Sequence, residues 1–335
     1  MIEQYIIVLG VSFLLSFTIF PKAIDKFTNK KLLVKDIYKA SQPKIPSQGA
    51  IVILFVLFFV SSILPLLERI FNRLGFRYEN LSIDEVGFCV LLVISMFAFF
   101  GIVDDLVDLP WRTKIILPVI FSFPIIVVYE PQNIVFPLFG EVSVSNNFNG
   151  IFISDIFKVI IFPIYIMVVA NLVNMHSGFN GLQSGLSTIL LVTIFIKCYL
   201  NDSLDNLSIL LILIGSLFAF WLFNKYPAKI IEGNSGPLIF GSCMGCFIVL
   251  NDLYFFGIVI LLPHIIDFLL FVYVRIVRGE FVKFGQINDK GFIISPNPFK
   301  LKFLFPYFFE LKEYEVVNWL YLLTVLFCFI GIIFF

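Results

Sequence analysis

Ala98-Phe-Phe-Gly-Ile-Val-Asp-Asp-Leu-Val-Asp-Leu-Pro-Trp-Arg-Thr-Lys114 closes an apolar run of membrane-spanning length with three carboxylates, Asp104, Asp105 and Asp108. Two cations, Arg112 and Lys114, follow before the chain turns apolar again. On a helix, 104 and 108 are four apart and 105 and 108 three apart, so all three carboxylates are expected on roughly one face. Carboxylates at the mouth of a membrane helix are costly and mark function by default. Three together repel one another unless a cation sits among them. Hard oxygen ligands of this kind suit Mg²⁺ or Mn²⁺, and the neighbouring cations suit a phosphate. The stretch reads as a metal-phosphate site at a membrane surface; a solvated loop between two spans is the plainer alternative.

The composition agrees with the membrane reading. The chain has 335 residues, 60% hydrophobic and only 14% charged, against roughly 25% charged in a soluble domain. Its mean hydropathy is +1.01. With about 20 residues per span, the expected fold is an all-α polytopic membrane protein with about ten transmembrane helices. It forms a single integral-membrane domain over 1–335, with no soluble domain. The expected spans are 3–21, 50–67, 86–103, 115–130, 155–172, 183–200, 207–223, 237–251, 253–275 and 316–335. The aromatic stretch 299–309 is short enough to lie along the interface instead. The run from Tyr5 to Phe20 lacks a basic flank and a small-residue cleavage site, so it reads as a first span that stays. Net charge is zero, so bulk charge says nothing about partners; no nucleic-acid partner is expected. Cys243-Met-Gly-Cys246 has redox spacing but sits in an apolar run without a second pair, so it reads as small residues packing a helix. No disulfide is expected.

Lysine and arginine set the orientation. The connections after the first, third, fifth, seventh and ninth spans carry eighteen of the 23 Lys and Arg residues, which assigns those connections to the cytoplasm. Every polar or glycine-rich cluster falls on that same side. These are Lys35-Asp36 with Ile45-Pro-Ser-Gln-Gly49, the Asp cluster, Asn171-Leu-Val-Asn-Met-His-Ser-Gly-Phe-Asn-Gly-Leu-Gln-Ser-Gly185, Asn224-Lys-Tyr-Pro with Glu232-Gly-Asn-Ser-Gly236, and the loop from 276 to 315. A transporter more often places polar groups at mid-membrane on broken helices. Chemistry gathered at one interface suits an enzyme that joins a water-soluble substrate to a lipid one.

The 171–185 stretch carries more Asn and Gly than a turn needs. Its glycines allow backbone N–H groups to approach a ligand. His176 has three readings: proton carrier, phosphate donor or packed loop residue. Glu232-Gly-Asn-Ser-Gly236 is either an anion site at a helix N-terminus or an ordinary N-cap. Most lysines near Lys35 read as topology signals and lipid contacts. His264 and Asp267 lie one helical turn apart and are expected to pair with each other.

Together these clusters resemble the polyprenyl-phosphate N-acetylhexosamine-1-phosphate transferases, and most of all their eukaryotic and archaeal branch. The likeness covers about residues 35 to 275 in four ordered motifs. They are Lys35-Asp36 with Ile45-Pro-Ser-Gln-Gly49, Asp104-Asp-x-x-Asp108 with Trp111-Arg-x-Lys114, Asn171-x-x-Asn-x-x-x-Gly-x-Asn-Gly-Leu182, and Gly233-Asn-Ser-Gly236. The resemblance implies a catalytic centre at Asp104, Asp105 and Asp108, with Lys114 on the phosphates. It implies substrate contacts from Lys35, Asp36, Gln48, Asn171, His176, Asn180 (at the uracil), Gly181, Arg275 and Arg278. It implies Mg²⁺ (or Mn²⁺) held by Asn174, Asn234 and Asp105. Where the family has Gly-Asp, this chain has Gly233-Asn234, one negative charge fewer, and Glu232 is the nearest replacement. Neither the bacterial His-rich motif nor the eukaryotic Arg-His-Arg segment occurs between 276 and 315; Arg275, Arg278 and Lys283 are the cations nearby.

The activity implied is transfer of a sugar 1-phosphate, GlcNAc-1-phosphate by likeness, from a UDP-sugar to a dolichyl-type polyprenyl phosphate. UMP is released, and a lipid-linked oligosaccharide for protein N-glycosylation begins. The setting implied is a prokaryotic plasma membrane or the endoplasmic reticulum, with the catalytic face cytoplasmic. Several members are dimers, so a homodimer is compatible with the resemblance. Two alternatives stay open: a transferase for another UDP-N-acetylhexosamine in cell-surface polymer synthesis, and a non-catalytic transporter or lipid-binding relative.

Overall fold

A computed structural model of the chain describes residues 2–75, 81–129, 133–136, 140–143, 147–148, 151–203, 205–279 and 284–335. Helices dominate. In chain order they are α1 (Ile2–Asn29), α2 (Ala50–Arg73), α3 (Glu85–Val107), α4 (Thr113–Phe121), α5 (Pro124–Val128), α6 (Ile153–Ile156), α7 (Phe162–Met175), α8 (Leu182–Leu200), α9 (Leu207–Asn224), α10 (Ser235–Leu250), α11 (Tyr254–Ile260), α12 (Leu262–Tyr273), α13 (Leu301–Phe308) and α14 (Glu313–Phe334). One turn of π-helix precedes α7 and another follows α12. The described strands form two-stranded antiparallel hairpins, the first pairing β1 (Leu33–Lys35) with β2 (Lys44–Pro46).

Among the described residues, seven helices are long and apolar enough to cross a membrane, and eight if the bent α11–α12 pair counts as one span. The chain is therefore an all-α polytopic integral membrane protein. Two further expected spans coincide with shorter apolar helices, Thr113–Val128 and Ser235–Leu250. The expected ninth span breaks at Leu261 and bends by 68°. Pro263 follows in the first turn of α12, where its missing N–H costs nothing but the preceding helix cannot continue. The stretch 299–309 holds the short helix α13, with Tyr307, Phe308 and Phe309 exposed.

Lipid tails are as apolar as leucine, so helices in a bilayer associate through close packing at small residues. Helix α10 shows this. Gly241 and Gly245, four apart, face α7: a Cβ on Gly241 would stand 2.6 Å from Ala170 Cα, and one on Gly245 2.9 Å from Ile166 Cα. Cys243 and Cys246 are buried on the same helix, as small residues packing a span. On its other side α10 meets α3 at Gly101, where a Cβ would come within 2.4 Å of Ser235 Cα. That contact seats the first turn of α10 beside the carboxylate end of α3. Replacing Gly101 with valine would push the two apart.

A second, smaller apolar cluster lies at the same end of the bundle. Tyr38, Phe179, Leu182, Leu301, Phe303, Val316 and Leu320 tie the first connection and the 176–185 segment to α13 and α14. Two of the motifs, far apart in sequence, thus stand on one packed platform.

Candidate active site

Helix α3 delivers Asp104 and Asp105 on adjacent positions, and each is met by a different set of donors. Asp104 is 4% exposed. Its Oδ1 lies 2.8 Å from Lys114 Nζ and accepts from the Leu109 N–H at 2.9 Å. Its Oδ2 accepts from Asn234 Nδ2 at 3.1 Å. Asp105 Oδ2 accepts from Gln48 Nε2 at 2.7 Å and from the Asn234 backbone N–H at 2.9 Å. Four of the sequence motifs' segments therefore converge directly: the end of the first connection, α3, the start of α4, and the turn into α10.

Asp108 does not join them. The helix ends at Val107, and Asp108 takes the left-handed conformation, φ 51°. Its carboxylate is 99% exposed, 3.7 Å from Lys114. The single helical face expected for all three acids is corrected accordingly: the helix stops one residue too early to carry Asp108 onto it.

The turn at Gly233 (φ +79°) makes the close approach possible. A Cβ there would meet Asp105 Oδ2 at 2.8 Å and Gln48 Oε1 at 3.1 Å. Residue 232 lies to one side of this turn and residue 234 to the other. Glu232 is buried, its Oε2 accepting from Asn224 Nδ2 at 3.2 Å. Burial pushes its carboxyl up to about 7. It has not taken over the position of Asn234.

Glu232 lines a cavity shared with Lys35, Asp36, Tyr38, Phe179 and Asn180. The expected Lys35, Asp36 and Asn180 are thus brought together. Asp36 is buried and 3.5 Å from Lys39, which also pairs with Glu313. Asn180 is held on both sides: its N–H donates to Glu313 Oε1 at 2.6 Å, and its Oδ1 accepts from the Ala228 N–H at 2.8 Å. Gly181 caps α8 with φ +76°, and its carbonyl accepts from the Tyr321 hydroxyl.

Other expected residues stand elsewhere. Asn171 donates its amide to the carbonyls of Lys114 (3.2 Å) and Met167 (3.0 Å). It braces the backbone that carries Lys114. Asn174 lies on the last turn of α7, and its carbonyl accepts from Ser177 Oγ. His176 is 1% exposed, its ring 4.7 Å from that of His264. Burial pulls its imidazole down to about 3. It is packed against His264 and does not line the cavity of Lys35, Asp36 and Asn180. His264 and Asp267 do not pair: the His264 ring nitrogens have no hydrogen-bond partner, and Asp267 accepts from the Leu301 N–H at 2.7 Å. Arg275 is exposed and does not line the cavity. The Arg278 side chain and Lys283 lie outside the described residues.

Sequence reading missed Lys39, Glu313 and Lys302. Lys39 stands among lysines read as topology signals, and Glu313 falls in the 276–315 loop, just before the expected 316–335 span. Lys302 is buried and donates to the Ser177 carbonyl at 2.7 Å.

The donor set suits a hard divalent cation. Among the described residues no three His, Cys, Asp or Glu side chains are grouped to hold a metal, so a closed carboxylate cage is absent. Mg²⁺ does not need one, since it keeps waters and substrate phosphates around one or two carboxylates. Gln48 Oε1 is buried with no hydrogen-bond partner, an amide oxygen left open beside Asp105.

Paired carboxylates, a lysine and neutral amides at one end of an apolar helix bundle define a membrane-embedded transferase of phosphorylated substrates. Comparison with known proteins agrees. Residues 87–252 match the model of glycosyl transferase family 4. A Sulfolobus acidocaldarius protein, provisionally named UDP-N-acetylglucosamine–dolichyl-phosphate N-acetylglucosaminephosphotransferase, is 30% identical over 304 residues, 90% of this chain and 87% of that one. The Saccharomyces cerevisiae protein of that name is 23% identical, covering 84% of this chain and 70% of its own. A Prochlorococcus marinus phospho-N-acetylmuramoyl-pentapeptide-transferase is 26% identical, covering 76% and 65%. The chain belongs to glycosyl transferase family 4.

Proposed function

We propose that the protein transfers GlcNAc-1-phosphate from UDP-GlcNAc to a dolichyl-type polyprenyl phosphate, releasing UMP and beginning a lipid-linked oligosaccharide for protein N-glycosylation. One observation carries the reading. Asp104, Asp105, Lys114 and Asn234 converge at Gly233, and the next residue back, Glu232, lines the cavity of Lys35, Asp36 and Asn180. A phosphate centre and a pocket for the rest of a nucleotide are thereby adjacent.

In the reaction, an oxygen of the polyprenyl phosphate attacks the β-phosphorus of the donor. The bridging bond from that phosphorus to the oxygen of the α-phosphate breaks, and UMP departs with the electron pair. Such chemistry needs positioning and charge neutralisation more than covalent help. Asp105, Asn174 and Asn234, with Gln48 beside Asp105, are the residues that would hold Mg²⁺ (or Mn²⁺), and the ion would supply neutralisation of diphosphate charge. Lys114 offsets further charge. Both Asp104 oxygens are already engaged by Lys114, Leu109 and Asn234. Asp104 therefore acts by holding Lys114 and Asn234 in place, and the ionised lipid phosphate needs no base. The lysine and arginine bias supports a cytoplasmic setting for this end, in a prokaryotic plasma membrane or the endoplasmic reticulum.

The test is transfer of label from UDP-[³H]GlcNAc into solvent-extractable lipid by purified protein with dolichyl phosphate and Mg²⁺. EDTA should abolish product, and Asn234→Asp should retain it. Folded protein that yields no lipid product from UDP-GlcNAc, alone or as Asn234→Asp, would sink the assignment. Product from a competing UDP-N-acetylhexosamine alone would move it to another sugar.

A further inference from the structure

Glu232 is a buried carboxylate with no ion pair among the described residues. Its cavity neighbour Asp36 has Lys39 at 3.5 Å; Glu232 has only neutral donors, Asn224 Nδ2 and its own backbone N–H. Burying a charge with so little compensation is costly, yet the fold holds it there firmly. The Ile231 N–H donates to the Pro46 carbonyl at 2.8 Å, and the Ala50 N–H to the Glu232 carbonyl at 3.1 Å. Asn224 is itself fixed by Ser184 Oγ (2.7 Å) and the Ile230 carbonyl (2.8 Å). Gly236 leaves the room the side chain occupies, since a Cβ there would stand 2.6 Å from Glu232 Cβ.

The neighbours set what this carboxylate faces. On one side, across Gly233, stands the phosphate centre of Asp105 and Asn234. On the other, in the same cavity, stand Asn180 and Phe179. A carboxylate repels a diphosphate, so its ligand is a neutral group that donates hydrogen bonds next to the phosphates. In a nucleoside diphosphate that group is the ribose, whose vicinal hydroxyls suit the two oxygens of a carboxylate. The same chemistry selects ribose at dinucleotide sites. Resting on the nucleotide-donor reading above, we infer that Glu232 accepts hydrogen bonds from the ribose hydroxyls of the donor and makes the protein selective for ribonucleotides.

The test edits substrate and residue together. kcat and KM are measured for UDP-GlcNAc and its 2′-deoxy and 3′-deoxy analogues, with wild type, Glu232→Gln and Glu232→Met; UMP and dUMP binding is measured by calorimetry on the same proteins. A hydrogen bond to a charged group predicts a roughly 10- to 100-fold preference for the ribose donor in wild type. Glu232→Gln should raise KM about tenfold with little change in kcat, the mark of lost uniform binding. In Glu232→Met the ribose preference should fall to near one, the non-additivity expected of groups in contact. An undiminished preference in Glu232→Met would overturn the inference, as would active wild type that ignores the deoxy change. So would a variant that loses discrimination against an N3-methyluracil donor instead, because the carboxylate would then read the base. Wild type without transfer would count against the function above, and equal UMP and dUMP affinity would then still overturn the ribose contact.

Discussion

Helix α3 carries carboxylates at both ends, and the two ends treat them in opposite ways. At its start Asp84 caps the helix, accepting from the Gly87 N–H at 2.9 Å and from Asn206 Nδ2 at 2.8 Å. An anion there meets unpaired N–H groups and the positive end of the helix dipole. At the other end Asp104 and Asp105 sit where the dipole is negative and the carbonyls are unpaired. They persist because other segments supply compensation: Lys114, Gln48, Asn234 and the Leu109 amide. A carboxylate that stabilises its own helix is structural. One that its helix disfavours, and that distant segments must compensate, marks the working end.

Substitutions at the two ends should break this contrast if it is wrong. The largest effect is expected from Asp105→Asn, with transfer falling at least about 100-fold, as when one transition-state charge contact is lost. Its melting temperature should hold or rise, because a disfavoured anion is gone. A folded Asp105→Asn protein with near-normal transfer would remove Asp105 from the centre. Lys114→Met comes next: Asp104 stays buried with amide donors alone, costing about 1–3 kcal/mol of stability along with activity. Adding Asp104→Asn to Lys114→Met should restore stability in thermal unfolding but not transfer; loss that merely adds would deny the pairing. Asp84→Ala at the opposite end should cost about 1 kcal/mol, the worth of an N-cap, and leave kcat and KM unchanged. Asp108→Asn should be smallest, lowering transfer by less than about fivefold, the worth of an exposed ion pair. A collapse of activity in Asp108→Asn would put its carboxylate back in the centre.

Much of this contrast was legible in the sequence. Composition and apolar run lengths set the class of fold, and density of polar residues at the ends of runs located the site. Asp104, Asp105, Lys114 and Asn234, drawn from separate motifs, meet in one polar cluster, and Asn180 lines the cavity beside it. What failed were inferences that needed a helix boundary or a contact between distant segments. Asp108 was assigned to a helical face, but α3 stops at Val107. Pairing of His264 with Asp267 follows from one-turn spacing within a helix, whereas the His264 ring lies against His176, just past the end of α7. Lys39 and Glu313 escaped because their partnership joins positions 274 apart, and no local pattern records such a contact. Glu232 looked like a substitute for a lost charge because it is two residues from Asn234; the left-handed turn at Gly233 separates the two tasks.

The platform under Asn180 has a consequence for how the protein is made. Glu313, which accepts from the Asn180 amide and pairs with Lys39, opens α14. A chain emerges from its N-terminus, so all four motifs enter the membrane before this residue exists. Until α14 inserts, the Asn180 amide lacks its acceptor and Lys39 its second partner. A copy still being translated, or cut short before residue 313, therefore carries every recognisable motif without an assembled pocket. Under the proposed function, a copy that lacks α14 is expected to consume no donor.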